Sequence, residues 1–383
     1  MSTLPSPSAD ALAASQALSR HIADQIAAHD GWLPFSRYME LALYAPGLGY
    51  YAGGSRKFGA AGDFVTAPEL TPLFAHTVAR QLAELLPHTA GIVYEFGAGT
   101  GVLAADLLAA LDALGVPPAR YCIVDLSPEL IERQRQTLAE RVPHWLDRIE
   151  WLTELPAELD GVVIGNEVLD AMPCELLRWD GAPLQRGVTV RDGAFAWEDR
   201  PIADAALQSL ADTVFPSLPG YTSEISLANR GFITLLAERL VRGAILLIDY
   251  GFPRAEYYHP QRHMGTLIGH YRHHTVDDPF YLPGLMDLTC HVDFTLIAEA
   301  GLDAGLDLIG YTTQAQFLIN AGLTAELAAL DIDDHATYLP MANAVQKLTN
   351  PAEMGELFKV IGFGRNVPID WIGFTQGDRC HTL

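Results

Sequence analysis

The sequence predicts an α/β protein built around a mostly parallel β-sheet. Two observations predict this fold class: five short apolar runs typical of buried strands, and helical sequence after each of them. The runs end at Phe96, Val124, Leu152, Ile164 and Ile248. In a doubly wound sheet of this kind, ligands bind beyond the carboxyl ends of the strands. The residues that follow each run are therefore the candidates for function.

The first strand leads into a glycine-rich turn. Residues 95–101 read EFGAGTG, and the helix predicted next runs over Val102–Leu114. Glycine lets the backbone pass close beneath a ligand. Dinucleotide-binding loops read G-x-G-x-x-G, whereas here Gly101 comes two residues after Gly99. The spacing favours S-adenosylmethionine, which carries no phosphate, and a purely structural turn is the alternative.

Polar and aromatic residues at the ends of the next two strands extend this candidate site. Asp125 follows the second strand, at about the separation from the loop where an acid holds ribose hydroxyls. A solvated strand-end carboxylate is the alternative for this residue. Trp151 or Leu152, at the end of the third strand, is the candidate to flank an adenine, and a buried core tryptophan is the alternative reading.

The fourth strand ends in a polar motif. Asn166, Glu167 and Asp170 follow it directly, before a proline. Polar groups just past a parallel strand face the ligand-binding edge, and three together are a stronger signal than one.

Composition limits the classes of partner. The chain of 383 residues carries 24 Lys and Arg against 47 Asp and Glu, a net charge of −23, which argues against a nucleic-acid binder. No apolar run approaches the length of a membrane span. The four cysteines are scattered without C-x-x-C spacing, which favours a reducing compartment, and the first basic residue is Arg20, so no secretory or transit signal is expected. We therefore expect a cytoplasmic protein.

A histidine-rich stretch is the one candidate for a metal site. It holds six histidines between Arg254 and Phe294, but without a carboxylate or cysteine at ligand spacing. We expect no metal there.

Nine stretches, in order from about Phe35 to Gly364, carry a family resemblance: FSRYMELALYAPGLGYY, GDFVTAPEL, EFGAGTG, DLSPEL, NEVLDAMP, SEIS, LLIDYG, PGLMDLTCHVDF and LFKVIGFG. With them the chain resembles the mitochondrial complex I assembly methyltransferase family, also called MidA. The resemblance implies a class I, Rossmann-like fold with a mostly parallel seven-stranded sheet. This chain departs from the family pattern at Asp125, where glutamate is common, and at Val168 and Leu169, where two aromatic residues are usual.

The resemblance also implies a domain layout. We expect N-terminal helices and a Gly/Tyr-rich flap over residues 1–90, and a methyltransferase core over residues 91–383 with insertions at about 174–219 and 252–294. Asp-Gly turns at Asp180 and Asp192 predict that the first insertion is antiparallel.

The function implied by the resemblance is methyl transfer from S-adenosylmethionine to an arginine of a protein. The characterised relative forms symmetric dimethylarginine on a respiratory complex I subunit, so an NADH dehydrogenase subunit is the implied substrate, and a homodimer is compatible with the family. The cofactor-binding candidates are Glu95, Gly97, Gly99, Gly101, Asp125, Leu126, Trp151, Leu152 and Asn166, with Asp63 and Thr66 closing over the methionine end.

A guanidinium is always charged, so the site needs carboxylates to orient its planar fork. Glu167 and Glu224 are the candidates, with Asp170 third. A helix cap for Asp170 and a surface ion pair for Glu224 are the alternatives. Two other functions stay open: an assembly chaperone that binds S-adenosylmethionine without catalysis, and a nicotinamide oxidoreductase.

Overall fold

The protein is described from a computed structural model that covers residues 4–53 and 66–383. The chain divides into two compact units, which are described separately. The sheet unit comprises Val65–Val168, Phe232–Pro253 and Phe294–Leu383. The hairpin unit comprises Met1–Phe64, Leu169–Gly231 and Arg254–Asp293. The division into residues 1–90 and 91–383 stays a prediction.

Seven strands of the sheet unit form one sheet. They are β1 (Ile92–Phe96), β2 (Arg120–Val124), β3 (Ile149–Leu152), β4 (Leu159–Asn166), β5 (Leu240–Phe252), β6 (Asp307–Thr313) and β7 (Phe358–Arg365). Their order is β6-β7-β5-β4-β1-β2-β3. Strands β1 to β5 pair in parallel, and β7 is antiparallel to both β5 and β6. The predicted mostly parallel α/β fold is confirmed, and β7 is the antiparallel strand within it.

Helices follow the strands along the chain. The α-helices are Ala9–Ala28, Phe35–Tyr44, Ala67–Leu70, Pro72–Leu85, Val102–Ala113, Pro128–Arg141, Ala205–Val214, Leu227–Arg239, Arg254–Tyr257, Phe294–Asp303, Gln314–Asn320, Leu323–Ala328, His335–Thr349 and Met354–Leu357. Short 3₁₀ turns lie at Leu86–His88, Pro143–Arg148, Pro260–Arg262, Ile372–Phe374 and Cys380–Thr382.

One helix expected to be continuous, over residues 68–86, is broken at Thr71. The backbone of Thr71 is extended (φ −165°), and its hydroxyl oxygen accepts a hydrogen bond from the N–H of Leu73 at 3.2 Å. Pro72 takes the first position of the second helix, where its missing N–H costs nothing. The Thr-Pro pair therefore ends one helix and caps the next.

The apolar runs that predict the strands fill the core of the sheet unit. Val93, Ile123, Val162, Leu246 and Val360, one from each of five strands, are all buried in one cluster with the covering helices. Burying a side chain of this size contributes roughly 1.5–3 kcal/mol each. The core therefore holds the strand ends, and the loops that follow them, at fixed positions.

The hairpin unit consists of two antiparallel sheets and helices around a core of its own. One sheet contains Leu33–Pro34, Glu175–Trp179, Pro183–Arg191, Ala194–Pro201 and Thr222–Ile225. The other contains Ile268–Tyr271, His274–Val276 and Asp287–Thr289, and a two-residue strand lies at Val292–Asp293. Gly181 and Gly193, at φ 77° and 79°, form the predicted turns of the first insertion.

Two further features of the described residues concern membranes and metals. Within residues 4–53 and 66–383, no helix has both the length and the apolar character needed to span a bilayer. Over the same residues, no group of three or more His, Cys, Asp or Glu side chains is placed to hold a metal ion.

Candidate functional site

The register of the sheet unit brings the predicted strand ends to one edge. Phe96, the last residue of β1, lies opposite Val124 of β2 and Gly165 of β4. Parallel strands in this register end at the same level, so Gly97 and Asp125 begin neighbouring loops. The ligand-binding edge expected of a doubly wound sheet is thus formed by β1, β2 and β4.

Gly99 and Gly101 of the glycine loop share a backbone conformation but differ in their surroundings. Gly99 and Gly101 have φ values of 51° and 82°, in the left-handed region that side chains rarely adopt. A Cβ at Gly101 would lie 3.0 Å from Cα of Gln134, so this glycine allows close packing of the helix Pro128–Arg141. No described residue would lie within 4 Å of a Cβ at Gly99, so as far as the described residues show, the space beside Gly99 is open to a ligand.

Asp125 is half-buried at the end of β2 and keeps acceptor capacity. Its Oδ1 accepts from the N–H of Ser127 at 2.9 Å, and its Oδ2 accepts from Nε2 of Gln134 at 2.7 Å. Burial raises the pKa of this carboxyl, and the two donors oppose that shift. A carboxylate has about four acceptor positions, so room remains for hydroxyl donors. The neighbouring side chain of Leu126 is 82% exposed.

Trp151 is engaged within the protein. Its indole N–H donates to Oε1 of Gln134 at 3.0 Å, and the guanidinium of Arg135 lies 4.0 Å from its ring centre. Both Trp151 and Leu152 are half-buried at the end of β3. Their predicted contact with an adenine stays a prediction.

The motif after β4 contains backbone strain. Glu167 has φ 54°, in the left-handed region, and its N–H donates to the carbonyl of Ile248 at 2.9 Å. Nδ2 of Asn166 donates to Oε1 of Glu167 at 2.9 Å. Oδ1 of Asn166 is buried, and no described residue donates a hydrogen bond to it. The edge thus contains an acceptor that a donor on a ligand would satisfy.

Asp249 holds this strained turn in place. It is fully buried at the end of β5, and its carboxylate accepts from the N–H of Val168 at 3.1 Å and from its neighbour Tyr250 at 2.8 Å. No role was expected for Asp249 from the sequence. A carboxylate directly after the fifth apolar run was the signal that could have suggested one.

Glu95 lies inside the sheet rather than at its edge. It is 1% exposed, and Oε2 accepts from the hydroxyl of Tyr121 at 2.8 Å. Burial raises the pKa of Glu95 to about 8, Asp125 adds to the shift, and the Tyr121 hydrogen bond opposes it. Its predicted contact with the cofactor stays a prediction.

The two candidates before β1 differ in what the structure describes. Thr66 precedes the helix Ala67–Leu70, whose Glu69 accepts a hydrogen bond from Oγ1 of Thr100 in the glycine loop at 3.2 Å. Asp63 lies outside the described residues.

Glu224, in the hairpin unit, is saturated by donors of its own unit. It is 1% exposed and accepts five hydrogen bonds. Oε1 accepts the N–H groups of Thr266 and Leu267, both at 2.8 Å. Oε2 accepts the hydroxyls of Ser223, Tyr257 and Thr266, each at 3.2 Å. Glu224 therefore holds the segment at Thr266 and Leu267 inside the hairpin unit, and it is not part of a surface ion pair.

Asp170 also belongs to the hairpin unit and is 6% exposed. Its carbonyl accepts from the N–H of Cys290 at 3.0 Å. Asp170 lies in a turn where no helix begins, so it is not a helix cap. The predicted arginine clamp, of Glu167 with Asp170 and Glu224, stays a prediction.

Comparisons with known proteins agree with this geometry. Residues 74–312 match a family model described as "Putative S-adenosyl-L-methionine-dependent methyltransferase". Over 91% of its length the chain is 30% identical to the Drosophila melanogaster "Protein arginine methyltransferase NDUFAF7 homolog, mitochondrial", of which it covers 86%. It is 25% identical to the Danio rerio "Protein arginine methyltransferase NDUFAF7, mitochondrial", with 90% of this chain and 86% of the relative covered. The chain belongs to this methyltransferase family.

A solved structure identifies the cofactor of the family. A crystal structure of a Burkholderia thailandensis protein bound to S-adenosyl-homocysteine is 52% identical, with both chains fully covered and a TM-score of 0.96. The cofactor of this methyltransferase is S-adenosylmethionine, as predicted. The residues present fit it, because the open space at Gly99, the acceptor capacity of Asp125 and the buried Oδ1 of Asn166 suit a ligand with hydroxyl, amino and ammonium donors.

The predicted cytoplasmic location of this methyltransferase is wrong. The relatives from Drosophila melanogaster, Danio rerio and Mus musculus are named as mitochondrial proteins. The prediction failed because scattered cysteines indicate a reducing environment, and such an environment is not confined to the cytoplasm.

Proposed function

We propose that this methyltransferase transfers methyl groups to an arginine side chain of a protein. We propose further that the substrate is a respiratory complex I (NADH dehydrogenase) subunit and the product symmetric dimethylarginine. Support for arginine comes from the names of the relatives, which are protein arginine methyltransferases at 30% and 25% identity over most of this chain. The family resemblance of the motifs supports the complex I substrate.

The observation that carries the proposal is the strained carboxylate after β4. Glu167 has a left-handed backbone, and the end of β5 holds this turn through the carbonyl of Ile248 and the contact of Asp249 to Val168. Such strain is found at functional sites, where it fixes the direction of a side chain. A fixed carboxylate suits a guanidinium, whose planar N–H groups bind carboxylates bidentately.

The cofactor and the protein make different contributions to the proposed methyl transfer. When bound, S-adenosylmethionine supplies a methyl group already activated by the sulfonium charge. Gly99, Asp125 and Asn166 bind the cofactor. Glu167 orients the arginine side chain and localises its positive charge. Positioning and electrostatics are therefore the main contributions of the protein.

Methylation by purified protein tests the proposal. Incubation with methyl-labelled S-adenosylmethionine and isolated NADH dehydrogenase is expected to label arginine, detected by mass spectrometry. Glu167→Gln should reduce turnover by roughly 100-fold and change the cofactor Kd less than about threefold, because the carboxylate acts on the arginine. Glu158→Gln, the same change at an exposed position of the sheet unit, is the matched control.

Two outcomes would contradict the proposal. Unchanged turnover of Glu167→Gln would remove Glu167 from the mechanism. Binding of the cofactor without label on any subunit, at any substrate concentration, would favour the non-catalytic assembly chaperone. A homodimer stays a prediction, which the mass of the protein in solution tests.

A further inference from the structure

One polar side chain connects three parts of the cofactor-binding edge. Gln134 is fully buried in the helix Pro128–Arg141. Its Nε2 donates to the carbonyl of Gly99 at 3.1 Å and to Oδ2 of Asp125 at 2.7 Å, and its Oε1 accepts from Trp151 at 3.0 Å. All its hydrogen-bonding atoms are therefore used between the glycine loop, the end of β2 and the end of β3.

The direction of the amide follows from the chemistry of its partners. The indole nitrogen of Trp151 is a donor only, so it must face the oxygen of the Gln134 amide. Both N–H groups then point to Gly99 and Asp125. The atom of Asp125 that faces Gln134 must accept, which leaves its remaining lone pairs for donors on a ligand.

We propose that Gln134 is the positioning residue of the cofactor site. Oriented by Trp151, it fixes the carboxylate of Asp125 as an acceptor and sets its direction toward the ribose hydroxyls of S-adenosylmethionine. It also ties that carboxylate to the glycine loop through Gly99, so the two binding elements move as one. Gln134 acts through Asp125 and needs no contact with the cofactor.

The same helix offers a matched control. Oγ1 of Thr137, one turn after Gln134, donates to the carbonyl of Thr100 at 2.7 Å. Thr137 thus holds the loop beside Gly99 with a similar hydrogen bond, but it has no bond to Asp125. Loss of loop anchoring alone can be measured with Thr137→Val, and loss of the Asp125 contact with changes at Gln134.

The test replaces the amide by a group whose donor capacity depends on pH. Gln134→Glu puts an ionised carboxylate against two acceptors at neutral pH, Oδ2 of Asp125 and the carbonyl of Gly99. Burial and the adjacent Asp125 carboxylate raise the pKa of the introduced carboxyl above its ordinary value, so at pH 5 it gains a proton that it can donate to Asp125. The other charged groups around it are Arg135, over Trp151, and Glu95, whose pKa Asp125 helps to raise. Both are present in every variant, and Gln134→Met measures the pH dependence of binding without the introduced carboxyl.

Binding of S-adenosyl-homocysteine, by calorimetry from pH 5 to pH 8.5, is the measurement. Gln134→Glu should bind at least about 30-fold more weakly than the wild type at pH 7.5 and recover most of this loss at pH 5. Gln134→Met should lose about 10-fold at every pH, Trp151→Phe about threefold, and Thr137→Val less than threefold.

Three results would overturn the proposal. One is a pH dependence of Gln134→Glu that matches that of Gln134→Met. Another is a loss in Thr137→Val as large as that in Gln134→Met, which would reduce Gln134 to loop anchoring. The third is unchanged binding by Asp125→Asn, since Gln134 would then have nothing to position. If Gln134→Glu fails to fold, Gln134→Met, Thr137→Val and Asp125→Asn still measure the second and third results.

Discussion

Two carboxylates, one in each unit, have opposite hydrogen-bonding arrangements. Asp125 at the edge of the parallel sheet accepts two hydrogen bonds from the protein. Glu224 in the hairpin unit accepts five. A carboxylate has about four acceptor positions, so Asp125 keeps capacity for a ligand and Glu224 keeps none.

The number of hydrogen bonds that a carboxylate accepts from the protein distinguishes ligand-binding groups from structural groups better than burial does. Both residues were candidates from the sequence, one for the cofactor and one for the arginine. The number of protein donors makes Asp125 the stronger binding candidate and gives Glu224 a structural role within its unit. Glu95 has the fewest donors of the three carboxylates, because among the described residues it accepts one hydrogen bond, from the hydroxyl of Tyr121.

The largest effect is expected from Glu95, the carboxylate with the fewest donors. Its native pKa of about 8 lies above the ordinary value of 4.5, so between these pH values the folded state holds a proton that the unfolded state has lost. The free energy of unfolding should therefore fall as pH rises through this window, at up to about 1.4 kcal/mol per pH unit. Denaturant unfolding of wild type and Glu95→Gln measures it; the slope must shrink in the variant. Equal slopes in both would show that Glu95 titrates normally.

The next effect is expected at the saturated carboxylate. Glu224→Gln places an amide among five donors and leaves some of them unsatisfied, so the free energy of unfolding should fall by about 3 kcal/mol. Glu175→Gln is the control, because two side chains among the described residues donate to Glu175, Ser36 and Gln185 of the same unit. Denaturant titration gives both values. If Glu224→Gln kept its stability and lost methyl transfer, Glu224 would belong to the arginine clamp after all.

The smallest effect on folding, with a clear effect on binding, is expected at Asp125. Asp125→Asn should weaken cofactor binding about 30-fold and lower the free energy of unfolding by about 1 kcal/mol, because the amide removes the negative charge and acceptor positions that the ligand needs, while only one of the two protein donors, Ser127 or Gln134, loses its acceptor. Calorimetry with S-adenosylmethionine tests this, and Asp147→Asn at an exposed position is the control. A stability loss as large as that of Glu224→Gln would abolish the contrast between the two sites.

Much of the sheet unit was predictable from local patterns. Apolar runs place the strands, and glycine spacing places the loop at Gly97 to Gly101, because both depend on neighbouring residues in sequence. The long-range contacts were not predictable in this way. Gln134 lies between Leu130 and Leu138 on the buried face of its helix, and a polar residue in that stripe was the available signal. Its partners come from separate strands, which one helix pattern does not reveal.

The same limit explains the other differences. The strain at Glu167 depends on Ile248 and Asp249, some 80 positions later in the chain, so its own sequence does not show it. Glu224 was predicted to bind arginine because of its residue type. The five hydrogen bonds that it accepts come from segments that only the folded hairpin unit brings together.

The place of β7 has a consequence for biosynthesis. This strand inserts between β5 and β6, pairing with Ile245 on one side and Tyr311 on the other, although it is made after both. Until the ribosome has released residues 358–365, two strand edges that will be internal stay uncovered, and such edges invite association between nascent chains. Chains that stop before residue 358 should therefore aggregate during translation, even though every cofactor-binding candidate has already been synthesised.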